Sequence, residues 1–282
     1  MSDLPPLHVV IVAYGSPLLL ERCLRALGEG LEVLIVDNSS SEEVSALADR
    51  HSSRYIDPGA NIGFAAGTNR ALADLGSDHG DVLLLNPDAQ ISGDDVRRLQ
   101  EELRSPGRDR VACASPSLRG DDGVQERVEW PFPSPLRAWI EAVGLGSLGP
   151  QRGFLIGAGL LLRRDAITSL GGFDERYFLY AEETDWQWRA SRAGWSVLFC
   201  PGIEGTHTGA GTSSDSDRRE TLFHASIERY IRKWYGDLRW HVFRAGVLFG
   251  AGVRVITGPQ RSLHRRRFSR YLHGPVHQGA QP

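Results

Sequence analysis

The chain has few of the residues that mark several common classes of protein. Its three cysteines, Cys23, Cys113 and Cys200, are odd in number and lack the spacing of metal ligands, so we expect reduced thiols in a cytosolic protein. No basic and then apolar leader opens the sequence, and secretion is therefore not expected. Apolar residues make up 41% and charged residues 24% of the 282 residues, as in globular domains.

Two glycine-rich phosphate-binding motifs are also absent from the positions where nucleotide-binding folds carry them. No GxGxxG follows a predicted strand, and no GxxxxGK[ST] occurs anywhere, which argues against a dinucleotide fold or a P-loop. The phosphates of any ligand must therefore be bound by a metal ion and by side chains.

An uninterrupted apolar run long enough to span a membrane is missing as well. The most apolar part of the C-terminal region, Leu238–Ile256, carries three arginines and a histidine, too many charges for a spanning helix. Residues 217–282 hold 13 Lys plus Arg against 4 Asp plus Glu, a net +9, although the whole chain has a net charge of −3. This segment is either a surface helix with a solvated basic tail or an element that lies in a bilayer interface. We expect no nucleic-acid partner.

Short apolar runs alternate with helical patterns over the first hundred residues. The runs are His8–Tyr14, Leu31–Asp37 and Asp81–Asn86. Their continuous apolarity is typical of strands covered on both faces. The predicted helices are one that ends at Gly28, one over Glu42–Arg50 behind a Ser40-x-x-Glu43 capping box, and one from about Ala65 to Leu75. This βαβαβ order predicts an α/β fold with a doubly wound, mostly parallel sheet flanked by helices.

The third run stops at Asn86-Pro87-Asp88, because proline lacks an N–H and pushes the preceding residue out of helix. The strand then presents Asp88 at its carboxyl edge, where ligands bind in open α/β sheets. A carboxylate there suits a hydrated divalent cation on the phosphates of a substrate. An ordinary β-turn is the simpler explanation of the tripeptide taken alone.

Other polar or small residues are expected at the same edge. Asp37 closes the second strand and either accepts an N–H from a pyrimidine base or forms a polar turn with Asn38 and Ser39. Glycines there would let a ligand approach the backbone closely. The further candidates for binding a nucleotide ligand at this edge are Ala13, Tyr14, Asn61, Gly63, Asn69 and Asn86.

Acidic residues open a helix in the second half of the chain. Glu182, Glu183 and Asp185 lie in its first turn, where the helix dipole stabilises them whatever their function. A carboxylate held there and facing a cleft can accept a proton from an attacking hydroxyl. His207 follows the predicted strand Trp195–Pro201 and precedes a small, polar stretch over Thr208–Asp217, typical of a mobile lid.

The predicted domains follow from these patterns. Residues 1–216 are expected to form one domain, with a first half over about 1–100 and a second half over about 101–216. The proline-rich segment Trp130–Pro135 is expected to be a loop over the site or part of the acceptor groove. Residues 217–282 form a helical, basic C-terminal extension.

Taken together, these segments resemble the family 2 glycosyltransferases of the GT-A fold, particularly bacterial rhamnosyltransferase-like members. The match runs from about Val9 to Ser213. It implies that residues 1–216 are the catalytic domain, with a nucleotide-binding half over about 1–100 and an acceptor-binding half over about 101–216. The motifs are VVIVAYGSPLLLERCLRAL, LIVDNSS, NIGFAAGTNRAL, LLLNPDA, GAGLLLRR with GGFDERYFLYAEETDWQWR, and the histidine before a Gly/Ser loop.

The resemblance implies a reaction and its participants. It implies inverting transfer of a sugar, with rhamnose favoured, from a dTDP or UDP donor to a glycan or lipid-linked acceptor. Such a protein of cell wall polysaccharide synthesis would be cytoplasmic or peripheral at the inner face of the membrane.

The resemblance also implies residue roles. Asp88 and His207 would be ligands of Mn²⁺ or Mg²⁺, with Asn86 where other members carry an acid, and Asp37 would bind the pyrimidine. Glu183 matches the catalytic base, which is usually aspartate. Because glutamate is longer by one methylene, Glu182 and Asp185 stay as alternatives for that role.

Two other functions are compatible with parts of the sequence. A sugar nucleotidyltransferase would need a basic glycine-rich loop early in the chain, but Tyr14-Gly15-Ser16-Pro17 has no nearby cation before Arg22. A non-catalytic nucleotide-sugar-binding module would keep the fold without turnover.

Overall fold

The computed structural model describes residues 4–76, 80–148, 152–209 and 216–278. Internal contacts divide the chain into two compact units. The sheet unit comprises Met1–Trp130, Phe154–Phe178 and Glu182–Ser214. The helical unit comprises Pro131–Gly153, Leu179–Ala181 and Asp215–Pro282, so the segment 131–153, assigned above to the acceptor half, packs with the C-terminal helices.

One mixed eight-stranded sheet forms the centre of the sheet unit. Its strands are β1 Leu7–Ala13, β2 Glu32–Asp37, β3 Arg54–Ile56, β4 Asp81–Leu85, β5 Ala89–Gln90, β6 Val111–Arg119, β9 Gly159–Leu162 and β10 Ser196–His207. Strands β7 Glu129–Trp130 and β8 Phe154–Leu155 pair separately. The order is β3-β2-β1-β4-β9-β6-β10-β5. Strand β9 is antiparallel to both of its neighbours, and β5 is antiparallel to β10.

Helices cover the sheet, and others build the second unit. Those of the sheet unit are α1 Pro17–Leu27, α2 Glu42–Arg50, α3 Gly63–Leu75, α4 Gly93–Arg104, α6 Arg164–Leu170 and α7 Glu182–Arg192. Those of the helical unit are α5 Pro135–Ala142, α8 Ser216–Thr257, α9 Arg261–His273 and α10 Pro275–Gln278. Gly236, at φ 82°, interrupts α8 and leaves two helical segments, which agrees with the helix stop that glycine favours.

Strand β1 shows how the core is divided between the two faces of the sheet. Val9 and Ile11 belong to one buried apolar cluster, whereas Val10 and Val12 belong to another. Both faces of the strand are therefore covered, which confirms the prediction from its continuous apolarity. In the helical unit, none of the described helices combines the length and apolarity that a membrane span needs.

Three local predictions are corrected by the structure. Helix α2 has no side-chain cap bond, because the Ser40 hydroxyl donates to Asp57 instead of closing a capping box. The run Gly153–Leu162 is not one strand, since it splits into β8 and β9. The strand predicted to end at Pro201 extends to His207, because register shifts between Cys200 and Glu204 let β10 keep pairing with β6.

A testable consequence concerns Gly63, whose φ of +84° places it in the left-handed region. A Cβ there would lie 2.5 Å from the Phe178 carbonyl oxygen, which accepts a hydrogen bond from Phe64 N. We expect Gly63→Ala to lower the free energy of unfolding in urea by about 3 kcal/mol or more. The matched control is Gly59→Ala, at φ +77° in open space, for which we expect about 1 kcal/mol. Equal losses would show that the Phe178 contact does not matter.

Candidate active site

Backbone pairing brings Asp88 and His207 together. Asn86 to Ala89 form a turn closed by Ala89 N donating to Asn86 O at 3.0 Å. The two residues of β5 then pair with the end of β10, so that His207 lies opposite Ala89. Thr208 N also donates to Asp88 O at 3.1 Å. As a result His207 Nε2 lies 3.4 Å from Asp88 Oδ1, and the Asn-Pro-Asp tripeptide both turns the chain and presents a carboxylate.

A second carboxylate lies on the other side of the imidazole. Glu126 Oε2 lies 3.0 Å from His207 Nδ1, and Glu126 N donates to Leu118 O at 2.8 Å, which holds the residue in the hairpin after β6. Sequence reasoning missed Glu126, since no motif marks an acidic residue in that irregular stretch.

The two carboxylates control the charge of His207. Burial opposes protonation of the ring, but hydrogen bonds and attraction from Asp88 and Glu126 outweigh it and raise the pKa of His207 to about 9. The imidazole therefore carries a proton on each nitrogen near neutral pH, and a metal ion would bind Nε2 only by displacing the proton there.

This arrangement fits a divalent cation shared with a substrate. Two neighbouring ligands of one ion are about 3 Å apart when each bond is near 2.1 Å, and Asp88 Oδ1 and His207 Nε2 have nearly that spacing. A carboxylate on the far nitrogen, as Glu126 provides, is the usual partner of a metal-bound histidine. Within the described ranges, no group of three or more His, Cys, Asp or Glu could hold a metal ion alone.

The acidic residues of helix α7 differ sharply in their surroundings. Asp185 is fully buried, accepts from the Tyr177 hydroxyl at 3.3 Å and pairs with Arg189 at 3.3 Å. Of the three candidate bases, Asp185 is therefore the least accessible. Glu182 is 5% exposed, whereas Glu183 is half-buried and so the more accessible of the two.

Burial makes both glutamates easier to protonate. Each has an Oε2 atom with no hydrogen-bond partner in the described part of the chain. Desolvation raises the pKa of Glu183 to about 7. Desolvation and then the charge of Glu183 raise the pKa of Glu182 well above its usual range.

A single turn of the chain connects Glu183 with the Asp88 region. A Cβ at Gly157 would lie 3.8 Å from Glu183 Cγ, and the next residue, Ala158, accepts a hydrogen bond from Asn86 N at 3.0 Å. The turn between β8 and β9 therefore contacts both the glutamate and the residues that lead to Asp88.

Gln187 fastens helix α7 to this turn. Its Nε2 donates to Leu155 O at 2.7 Å, and its Oε1 accepts from Leu155 N at 2.8 Å. Nε2 also donates to Glu183 O at 3.1 Å. Sequence reasoning missed this fully buried residue, which sets the position of the helix that carries Glu183.

The two residues before α7 have an unusual backbone. Tyr180 and Ala181 have φ angles of 68° and 66°, a region that costs side-chain-bearing residues about 1–3 kcal/mol each. The chain thus enters the helix of the glutamates through a strained connection.

In the structure, hydrogen bonds from neighbouring residues hold the carboxylate of Asp37. Its two oxygens accept from Ser39 N, Ser39 Oγ, Ser41 N and the Tyr55 hydroxyl at 2.5–3.0 Å, which fills a carboxylate's acceptor sites. The polar turn with Ser39 is therefore present, and the pyrimidine contact of Asp37 stays a prediction. In neighbouring Asn38, Nδ2 donates to Gly63 O at 3.1 Å, while the buried Oδ1 has no hydrogen-bond partner among the described residues.

The other donor-binding candidates are divided. The Asn69 amide donates to Phe173 O and Glu175, and its oxygen accepts from Phe173 N, so its contact with a donor stays a prediction. A side chain at position 63 would collide with the Phe178 carbonyl oxygen, which explains the glycine there. Asn61 Oδ1 accepts a hydrogen bond from Gly63 N at 3.1 Å. Ala13 and Tyr14 lie at the end of β1, as predicted, with Tyr14 45% exposed. Of the predicted lid, residues 210–215 lie outside the described residues.

Comparison with known proteins decides the family. The profile of the family described as glycosyl transferase family 2 matches residues 8–171, which is more than half of the chain. The chain belongs to glycosyl transferase family 2. This confirms the resemblance and sets aside the nucleotidyltransferase and non-catalytic alternatives, since the protein is a glycosyltransferase.

Similar proteins and similar solved structures agree with that assignment. It is 31% identical to the N-acetylglucosaminyl-diphospho-decaprenol L-rhamnosyltransferase of Mycobacterium tuberculosis over 94% of the chain and 97% of the relative. It is 26% identical to a low-salt glycan biosynthesis hexosyltransferase of Haloferax volcanii over 81% and 73%. The glucosyl-3-phosphoglycerate synthase of M. tuberculosis superposes with a TM-score of 0.57 at 16% identity, covering 81% and 78%. This shared architecture confirms the GT-A fold.

The raised pKa of Glu183 predicts how activity depends on pH. A carboxyl group that accepts a proton must be ionised, and burial raises this pKa to about 7. We expect kcat of the glycosyltransferase to be nearly full above that pH and to fall about tenfold for each unit below it. Initial rates at constant ionic strength measure this profile, and unfolding curves over the same range are the control. A flat profile down to the ordinary pKa of glutamate would contradict the assignment.

Proposed function

We propose that the protein transfers rhamnose from dTDP-rhamnose to a polyprenyl-diphosphate-linked N-acetylglucosamine, with inversion at the anomeric carbon. The proposal draws its sugar and acceptor from the mycobacterial relative, whose name specifies both. The observation that carries the chemistry is the contact of Asp88 with His207, at 3.4 Å, beside the turn that touches Glu183.

In the proposed mechanism, Glu183 accepts the proton of the acceptor hydroxyl. An electron pair on the acceptor oxygen then forms the new bond to the anomeric carbon from the face opposite the diphosphate. The diphosphate leaves with the electrons of the bond that breaks. Gln187 and the turn at Gly157 hold Glu183 in place through the contacts described above. Asn38 Oδ1 is proposed to accept the ring N–H of the pyrimidine.

Asp88 and His207 would hold a divalent cation, with Glu126 fixing the orientation of the ring. A bound ion supplies positive charge that stabilises the leaving diphosphate. Support comes from the donor set in this chain and from the structural neighbour, which was crystallised with Mn²⁺ and uridine diphosphate. The histidine favours Mn²⁺ over Mg²⁺.

The proposed acceptor places the reaction at the cytoplasmic face of a membrane. A polyprenyl chain stays in the bilayer, so the enzyme must meet the sugar at the surface. The basic C-terminal extension is proposed to provide this peripheral contact.

The role of Glu183 is tested by Glu183→Gln, which keeps the size of the side chain but removes the proton acceptor. We expect kcat to fall by about 10²–10⁴-fold, with the Kd for dTDP-rhamnose nearly unchanged. The assay measures release of dTDP in the presence of Mn²⁺ and a short-chain acceptor.

The control is Glu182→Gln, one residue earlier and more deeply buried, for which we expect a smaller loss. The reverse ranking would assign the base to Glu182. Turnover by the wild type with another nucleotide sugar, but not with dTDP-rhamnose, would overturn the donor assignment.

The metal site is tested by Asp88→Ala, which removes one of the two proposed ligands. We expect Mn²⁺ to strengthen dTDP binding to the wild type, and this gain to fall roughly tenfold or more in the variant. Calorimetric titration of dTDP with and without Mn²⁺ measures it. Asp94→Ala, at a side chain 95% exposed, is the matched control, and an unchanged Mn²⁺ effect in Asp88→Ala would refute the role.

A further inference from the structure

An exposed apolar stripe runs along the second segment of α8, over residues 237–257. Its members are Leu238 (80% exposed), Val242 (45%), Phe249 (48%), Val253 (39%) and Ile256 (75%). At about 100° per residue, all five fall within an arc of about 60° on one side of the helix. Apolar side chains in such a stripe are normally covered by another surface.

Aromatic residues of the same helical unit widen the stripe. Trp139 of α5 stacks on Phe249 with ring centroids 5.7 Å apart, and its Nε1 donates to Val242 O at 3.0 Å. Phe268 of α9 is 36% exposed and approaches the backbone of Gly252. We call the five stripe residues, Trp139 and Phe268 the apolar face.

Arginines accompany this face on α9. Arg261 and Arg265 are exposed and share one side of the helix with Phe268 and Leu272, since all four lie within about 60° at 100° per residue. One helix surface therefore presents two cations in its first half and two apolar side chains in its second.

The acidic residues of the segment do not offset these cations. Residues 217–282 contain four, Asp217, Glu220, Glu228 and Asp237. Arg270 pairs with Asp217 and Glu220, and Arg232 pairs with Glu228 and Asp237. The four acids therefore pair with Arg270 and Arg232, and among the described residues no ion pair involves Arg261 or Arg265.

We propose that the apolar face and the α9 arginines bind the surface of a bilayer that contains anionic phospholipid. Apolar side chains would enter the boundary between headgroups and acyl chains, while the guanidinium groups contact phosphates. Charge argues against a second copy of the chain as the occupant, because a two-fold contact would place the same arginines near each other.

This inference deepens the membrane contact proposed above and assigns it to particular residues. It does not depend on the donor or on the catalytic roles, because vesicle binding is measured without substrate. Its failure would therefore leave the proposed reaction standing, and failure of the reaction would leave this surface standing.

The test is co-sedimentation of the full chain with phosphatidylcholine vesicles, with and without phosphatidylglycerol. We expect binding that requires phosphatidylglycerol and weakens with salt. The double substitution Phe249→Ser with Ile256→Ser should lower the partition coefficient roughly tenfold or more. Arg261→Gln with Arg265→Gln should lower it by about tenfold or more on the anionic vesicles alone.

Matched controls lie in the sheet unit. Leu18 and Val124 are 72% and 62% exposed, and their double substitution to serine should leave the partition unchanged, as should Arg25→Gln, at a side chain 71% exposed. Wild-type protein that ignores anionic vesicles, or face variants that bind as the wild type does, would overturn the proposal. A wild-type dimer in sedimentation equilibrium that Phe249→Ser with Ile256→Ser makes monomeric would instead assign the face to a second copy.

Discussion

The short antiparallel contact between β5 and the end of β10 is the constraint on which the candidate site depends. It sets His207 opposite Ala89, and the imidazole consequently meets the carboxylate of Asp88. A ladder of two residues is weak in isolation, so its position is inherited from β10, which pairs along β6 over most of its length. The same strand β6 leads into the hairpin that carries Glu126. The site is thus a product of the sheet before any ligand is bound.

Much of the architecture could be predicted because it is determined locally. Continuous apolar runs identified β1, β2 and β4, and α2 was predicted with its observed bounds although the capping box used to place its start does not form. The place of β9 between β4 and β6, antiparallel to both, could not be predicted. Strand neighbours are chosen by contacts far apart in sequence, and periodicity along a single segment carries no information about them.

The candidate site was predictable only as a set of residue types near one sheet edge. Asp88 and His207 were identified and do meet. Asp37, Asn69 and Asp185 were identified as well, but hydrogen bonds within the protein already occupy their polar atoms. A sequence shows which side chains can accept a bond, whereas only the packed structure shows which lone pairs are already used. The same limit explains why Glu126 and Gln187, which act through partners distant in sequence, were missed.

The left-handed pair Tyr180 and Ala181 has a consequence for how the enzyme adapts to its substrates. The left-handed conformation stores strain of about 1–3 kcal/mol at each residue, directly before α7. A movement that returns either residue to a relaxed conformation recovers that free energy, which offsets part of the cost of shifting the first turn. The strain at this junction therefore lowers the cost of displacing the first turn of α7, while the contact of Gln187 with Leu155 holds the following turn in place.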